Sequence, residues 1–273
     1  MNIKENVHRV TLALGLQRKI AGVKFYFEDE AISGCGVEQF AGKYSFCQMV
    51  NAACNGEHYL YKKNNFGCRC AVEALGLDQE YQCVVSGERY YACQLYESLA
   101  VAKKTQRDVL RIDHHCLAIE VGPLEEMKDA DIAIIFCDCY QMMRLIQGYT
   151  YKFAVAQNIR MAGNQGVCSD LAARPLMMND LNVSLLCSGT RRRCQWGDGE
   201  LGAGMPIQLF DSVVEGVIQT LNLTEYKEGK DAVLARLSKP DELGIIIDYD
   251  IHYGKTAAKY VRPRTPGGKP CSK

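Results

Sequence analysis

Cys47, Cys68, Cys168 and Cys187 fall into two pairs with the same local pattern. In each, a Cys opens a helical stretch and a strand follows; a second Cys then stands 21 residues on in the first pair and 19 in the second. Two such units set face to face bring four thiols to one place, and soft thiolates gathered there suit a metal or an iron–sulfur cluster. Cys47 and Cys168 are each predicted at a helix start, where unpaired N–H groups and the positive end of the helix dipole favour a thiolate. Cys68 and Cys187 are placed in or beside turns. Gly67 and Gly189 stand near them, and glycine admits close approach and free N–H groups toward an anionic cluster. The donor set fits a [4Fe–4S]-type cluster, with structural zinc on four Cys as the alternative. The spacings match neither a C-x-x-C ribbon nor the C-x-x-C-x-x-C ferredoxin run, so buried structural thiols remain an open reading of the same residues.

The chain has fourteen Cys in 273 residues. In a reducing compartment such a number reads as ligation, redox chemistry or plain core rather than a disulfide scaffold. Cys68-Arg69-Cys70 and Cys137-Asp138-Cys139 are C-x-C pairs whose side chains diverge in a strand, so one thiol of each pair at most would ligate. Cys194, which follows Arg191-Arg192-Arg193, is an extra ligand, a redox partner or a loop thiol. His114-His115-Cys116 has the look of a metal site but reads as a surface feature.

Other chemistries lose ground. There is no phosphate-loop pattern, no G-x-G-x-x-G fingerprint and no G-x-S-x-G elbow; Gly34-Cys35-Gly36 and Gly202-Ala203-Gly204 lack a third glycine. Lys plus Arg equals Asp plus Glu at 32 each, which argues against a nucleic-acid partner. No apolar run approaches the roughly 20 residues of a membrane span, and the polar N-terminal stretch lacks the apolar core of a signal peptide. The expectation is a cytoplasmic protein that meets a small-molecule ligand or an electron-transfer partner, with a homodimer left open.

The elements that must position the thiols follow from periodicity. Val7 to Leu16 reads as an amphipathic helix, Gly22 to Phe27 as a strand, Phe46 to Cys54 as a helix ended by Asn55-Gly56, His58 to Lys62 as a strand and Cys70 to Leu75 as a short helix. His115 to Val121 is a strand; a helix with Pro123 in its first turn is expected next. Asp131 to Cys137 is a continuous apolar run suited to a strand buried on both faces, and Tyr140 to Gln157 is the longest helical pattern. Val167-Cys168-Ser169-Asp170 leads a helix that Ser and Asp suit as caps; Val183 to Cys187 is a strand, a further strand lies near Leu201, and a helix runs from Pro206 to Leu221. Leu243 to Tyr249 reads as one more strand. The fold class is α/β, with some parallel pairing in a mixed sheet. Residues 1–261 form one globular domain of two pseudo-symmetric α/β lobes, about 20–80 and 160–222, with the metal site between them; residues 262–273 are a flexible tail rich in Pro and Gly.

Phe46-Cys47-Gln48, the run Cys68-x-x-Ala71-x-x-x-Leu75-Gly76, Arg144 to Tyr151, Cys168 with Pro175, and Asn182 to Arg191 together resemble the domain of unknown function numbered one hundred and sixty-nine, found in anaerobic bacteria and archaea. The resemblance spans roughly residues 20 to 220 and implies that Cys47, Cys68, Cys168 and Cys187 are its recurrent thiols. This chain departs from the pattern in having Cys70 where the family often has Gly, which adds a fifth thiol and candidate ligand. The family name carries no activity. The working expectation is an iron–sulfur protein in anaerobic redox or Lewis-acid chemistry, with Gln48, Arg144, Tyr149 and Arg191 as candidates to hold substrate or tune the cluster. A non-enzymatic metal or redox sensor, or a cluster carrier, is the alternative.

Overall fold

The computed structural model describes residues 2–78, 84–221 and 227–237. The strand expected at Leu243 to Tyr249, the tail from 262 and Cys83 all lie outside them. Helix α1 (Ile3–Leu14) starts at Asn2, whose side chain accepts the Lys4 N–H, and stops at Gly15 in the left-handed region. Strand β1 (Ala21–Tyr26) leads through a short helix α2 (Asp29–Ser33) to α3 (Phe46–Cys54), β2 (Tyr59–Lys62) and α4 (Arg69–Ala74). Helices α5 (Glu88–Ala92) and α6 (Leu99–Asp108) precede β3 (Ala118–Pro123) and β4 (Ile132–Cys137). Helix α7 (Cys139–Phe153) is capped by Asp138. A π-helix (Gly166–Ala173) runs into α8 (Arg174–Met178), and β5 (Asn182–Ser184), α9 (Ser188–Cys194), β6 (Leu201–Pro206), α10 (Ile207–Gln219) and α11 (Lys227–Leu237) complete the order.

The six strands form one sheet in the order β2-β3-β1-β4-β6-β5, and every ladder in it is antiparallel. The mixed pairing expected from alternating strands and helices is thereby corrected. Strands β1 and β2, joined across α3, do run in the same direction, but β3 lies between them and pairs with both. Strand β6 does the same between β4 and β5. Each half is a split crossover, in which the inserted strand turns parallel neighbours into two antiparallel ladders. Outward from the central β1–β4 pair, each half places its first, third and second strand.

The sheet is covered on both faces. Val23, Phe25, Ile132, Ile134 and Phe136 point into one core with α3, α4 and the π-helix, whereas Ala133, Ile135, Ala203 and Met205 point into another with α1, α7 and α10. All six residues of β4 are buried, as its unbroken apolar run predicts. The strand expected as far as Cys187 stops at Ser184, the helix expected as far as Gln157 stops at Phe153, and two further local expectations fail. Pro123 ends β3 and only a 3₁₀ turn, Leu124–Glu126, follows it, so no α-helix begins there. Ser169 and Asp170 lie inside the π-helix, bonded across to other segments, and do not cap a helix.

Candidate functional site: a thiol-lined cavity

The two halves supply their thiols in matching ways. Cys47 is the second residue of α3, just ahead of edge strand β2, and Cys68 is the N-cap of α4 just after it. Cys168 is on the π-helix ahead of edge strand β5, and Cys187 is the N-cap of α9 after it. All four line one cavity of about 370 Å³, together with Cys70 and the exposed Cys93. Among the described residues, the only charged side chains on its wall are Arg89 and Arg193, and no Asp, Glu, His or Lys lines it.

Each thiol is held by its own local chemistry. The Ser45 N–H donates to Gln48 Oε1 at 3.0 Å, closing the start of α3, and the Ser45 hydroxyl lies 2.9 Å from the same oxygen and 3.1 Å from Cys47 Sγ. Cys187 Sγ accepts the Thr190 N–H at 3.4 Å and lies 3.1 Å from Thr190 Oγ1. The Ala71 and Cys70 N–H groups reach Cys68 in the same manner. The π-helix is fastened by the Ser169 hydroxyl donating to the Leu110 carbonyl (2.7 Å), the Ser184 hydroxyl donating to Asp170 Oδ2 (2.8 Å), and Asn182 Nδ2 donating to the Asp170 carbonyl (2.9 Å). A side chain on Gly204 of β6 would collide with the Leu171 carbonyl, so glycine there lets the π-helix lie on the sheet. The close approach expected at Gly67 and Gly189 falls elsewhere: neither is crowded, and Gly166 is the residue pressed against Leu186 and Cys187.

Electrostatics divides the thiols into two kinds. The Cys194 S–H, with help from the Ser45 and Thr190 hydroxyls, holds Cys47 well below the usual thiol range. The Cys70 S–H does the same for Cys68, aided by the Ala71 N–H and by the Arg193 guanidinium. Cys70 and Cys194, as the donors, are pushed up. Cys168 is pushed well up, first by burial and then by the negative charges of Cys68, Cys187 and Cys47, so the four thiols act on one another.

The residues expected to hold substrate or tune a cluster are scattered. Gln48 touches the site through Ser45. Arg144 is buried between α7 and α10, where it donates to the Val217 carbonyl (2.9 Å) and the Thr220 carbonyl (3.2 Å) and to Gln147 Oε1 (2.7 Å). Tyr149 packs in the same core and donates to Asp180 at 2.7 Å. Both side chains lie on the face of the sheet opposite the thiols. Arg191 binds the Leu185, Gly197 and Glu200 carbonyls at 2.6–2.9 Å and so braces the loop around α9. Cys137 is buried in that opposite core and Cys139 is exposed. His114 is an exposed neighbour of Asp113, and Cys116 is buried with its Sγ 3.2 Å from the Ala118 carbonyl.

Sequence reasoning missed Arg89, Tyr90, Cys93, Asn164, Gln165 and Arg193, all on the cavity wall. Arg89-Tyr90-Tyr91 beside Cys93 was a compositional signal for the first three, and Arg193 closes the Arg191-Arg192-Arg193 run, which reads as a solvated loop or a grip on one small anionic ligand; Asn164 and Gln165 carry none. Backbone conformation marks the site as well. Gln165, Leu186 and Gln195 have φ of 52°, 66° and 54°, left-handed values unusual for residues with a side chain, and each lies within three residues of Cys168, Cys187 or Cys194. Asn164 and Gln165 are also buried with an amide oxygen unpartnered.

The twelve cysteines among the described residues are all free thiols, and among those residues no three His, Cys, Asp or Glu side chains close on one point as a single metal ion requires. Nor is any described helix long and apolar enough to cross a membrane. No solved structure matches this chain. The uncharacterized protein MJ0308 of Methanocaldococcus jannaschii is 22% identical over 218 residues, covering 79% of this chain and 93% of its own length. The profile of the family described as Uncharacterised ArCR matches residues 9–216, most of the described fold and all the cavity thiols, and the chain thus belongs to that family, DUF169.

Proposed function

We propose that the chain holds a [4Fe–4S]-type iron–sulfur cluster on Cys47, Cys68, Cys168 and Cys187 and uses it in redox or Lewis-acid chemistry on a small molecule. The observation that carries this reading is the thiol cavity itself: two similar halves each contribute two sulfurs to a single wall on which no carboxylate or imidazole stands among the described residues. Softness of the donor set favours iron–sulfur or zinc. Four thiolates drawn from two separate segments suit a [4Fe–4S] cluster, with structural zinc on the same four Cys as the second reading.

A bound cluster would supply an electron or an electrophilic iron. The residues around it have identifiable tasks. Cys47 and Cys68 are pre-set as thiolates, so ligation there releases few protons. Arg193 sets positive charge against the sulfurs. Cys70 and Cys194 hold protons beside two of the ligands. Thr190 and Tyr90 hold Cys187 and Cys70 through their hydroxyls, and Arg89 adds a second cation to the wall that a ligand sharing the cavity would meet. A volume near the lower end for small-molecule sites leaves room only for a small substrate.

Anaerobic purification with iron and sulfide analysis tests the reading. The expected result is a brown protein with about four iron and four sulfide per chain and a spin-resonance signal on reduction. Cys→Ala at the four positions abolishes the cluster, while Cys35→Ala and Cys54→Ala spare it. A colourless protein carrying one zinc per chain, or equal loss in every Cys variant, overturns it.

A further inference from the structure

Residues 163–168 line the thiol cavity, but residues 159–162, 169, 170 and 174 line a second one, of about 800 Å³, completed by α6 and the two residues after it. Three cations stand on its wall: Arg174, only 6% exposed, and the exposed Arg160 and Lys104. None of the three forms an ion pair among the described residues. The carboxylates nearest Arg174 attract it but form no ion pair with it among the described residues, and their oxygens accept other donors. Asp170 accepts from the Ser184 hydroxyl at 2.8 Å, and Asp180 accepts from the Tyr149 hydroxyl and the Leu181 N–H, both at 2.7 Å. Asp108, also on the wall, is exposed.

The positively charged groups are built in. Arg174 is fixed by Nε and Nη2 donating to the Asn158 carbonyl at 3.2 and 2.7 Å. The backbone of Arg160 is clamped from both sides by the buried Asn182 amide, at 2.9 Å through its N–H and 3.0 Å through its carbonyl. The hydroxyls on the wall are already spent, Thr105 on the Val101 carbonyl (3.0 Å) and Ser169 on the Leu110 carbonyl (2.7 Å). The remaining side-chain donors on the wall are cationic, and Val109, Leu110, Ile159, Met161 and Ala162 surround them with apolar surface. Arg160 lies close enough to Arg174 to repel it; Asp170 and Asp180 offset this in part without forming an ion pair among the described residues, and a bound oxyanion would offset more of the cost of burying the guanidinium.

We propose that this second cavity binds a small organic oxyanion, a carboxylate or phosphate on an apolar body, with Arg174 at its floor and Arg160 and Lys104 at its rim. Guanidinium forks match both oxyanions bidentately. The proposal does not depend on what the thiols hold.

Isothermal titration of the full chain with phenyl phosphate, benzoate and the uncharged benzamide tests it. At least one anion should bind with a Kd below about 1 mM while benzamide does not, and the tighter of the two identifies the oxyanion. Arg174→Gln and the exposed Arg160→Gln should each weaken binding about tenfold or more, whereas Arg193→Gln, in the thiol cavity, leaves it unchanged. Should Arg174→Gln fail to fold, Arg160→Gln decides alone. Absence of binding by both anions, equal binding of benzamide, indifference to Arg160→Gln, or loss with Arg193→Gln overturns the proposal.

Discussion

Gly166 is pressed against Leu186: a Cβ on Gly166 would stand 2.8 Å from the Leu186 Cα and 2.9 Å from the next backbone nitrogen, that of Cys187. This contact sets the π-helix that carries Cys168 beside the turn that carries Cys187. Backbone cannot yield as a flexible side chain does, so Gly166→Ala forces the two segments apart. The expected outcome is a loss of about 1–3 kcal/mol, typical of overpacking, measured by urea unfolding, together with reduced iron content in anaerobically purified protein.

Thiol reactivity should separate the cysteines in metal-free protein. Cys47 and Cys68 are held as thiolates by their neighbours, whereas burial pushes Cys54, Cys116 and Cys137 up to about 12. A short iodoacetamide pulse read by peptide mass spectrometry should label Cys47 and Cys68 first, at rates nearly flat from about pH 7 to 9. The three buried thiols should react only as fast as the chain unfolds. Early labelling of Cys116 would contradict the assignment.

Acid sensitivity should trace to Glu200. It accepts from Arg18 through both oxygens, at 2.6 and 3.1 Å, and the Arg18 hydrogen bond is the main reason its carboxyl lies below the usual range. A depressed carboxyl stabilises the fold above its unfolded pKa, near 4.3, and that contribution fades as pH falls through the lower folded value. Glu200→Gln should therefore lose stability at pH 7 and show a shallower acid limb in Tm against pH. An unchanged limb would mean the pair contributes nothing.

Arg144 should behave as a structural clamp. Its guanidinium binds α10 carbonyls across the helix interface from a buried position. Arg144→Ala is expected to lower stability by about 2–3 kcal/mol, in the range for hydrogen bonds of charged groups, with the metal content per folded chain unchanged. A selective loss of metal would return Arg144 to the site.

The legible parts of this chain were those with strong local signals. The apolar run of β4, the Asn55-Gly56 stop after α3 and the period of α10 appear in the structure within two residues of where periodicity put them, whereas α7 ends at Phe153, four residues before Gln157. The pairing of Cys47 with Cys68 and of Cys168 with Cys187 was visible because each pair straddles an edge strand. Arg144 and Tyr149 could not be sorted in this way. Helical period says that a residue faces a core, but not which of the two cores flanking the sheet, and both turned out to lie behind it.

The sequence by itself determined the strongly periodic elements, the thiols and their local grammar, since caps, turns and hydrophobic period depend on neighbours a few residues apart. Only the tertiary structure decided that β3 and β6 insert between the strands of their own halves and make the sheet antiparallel. It alone set Arg89, Asn164 and Arg193 on the same cavity wall and opened a second, cationic cavity beyond the π-helix. Those outcomes rest on contacts between residues far apart in the chain, which packing selects and local propensity does not encode.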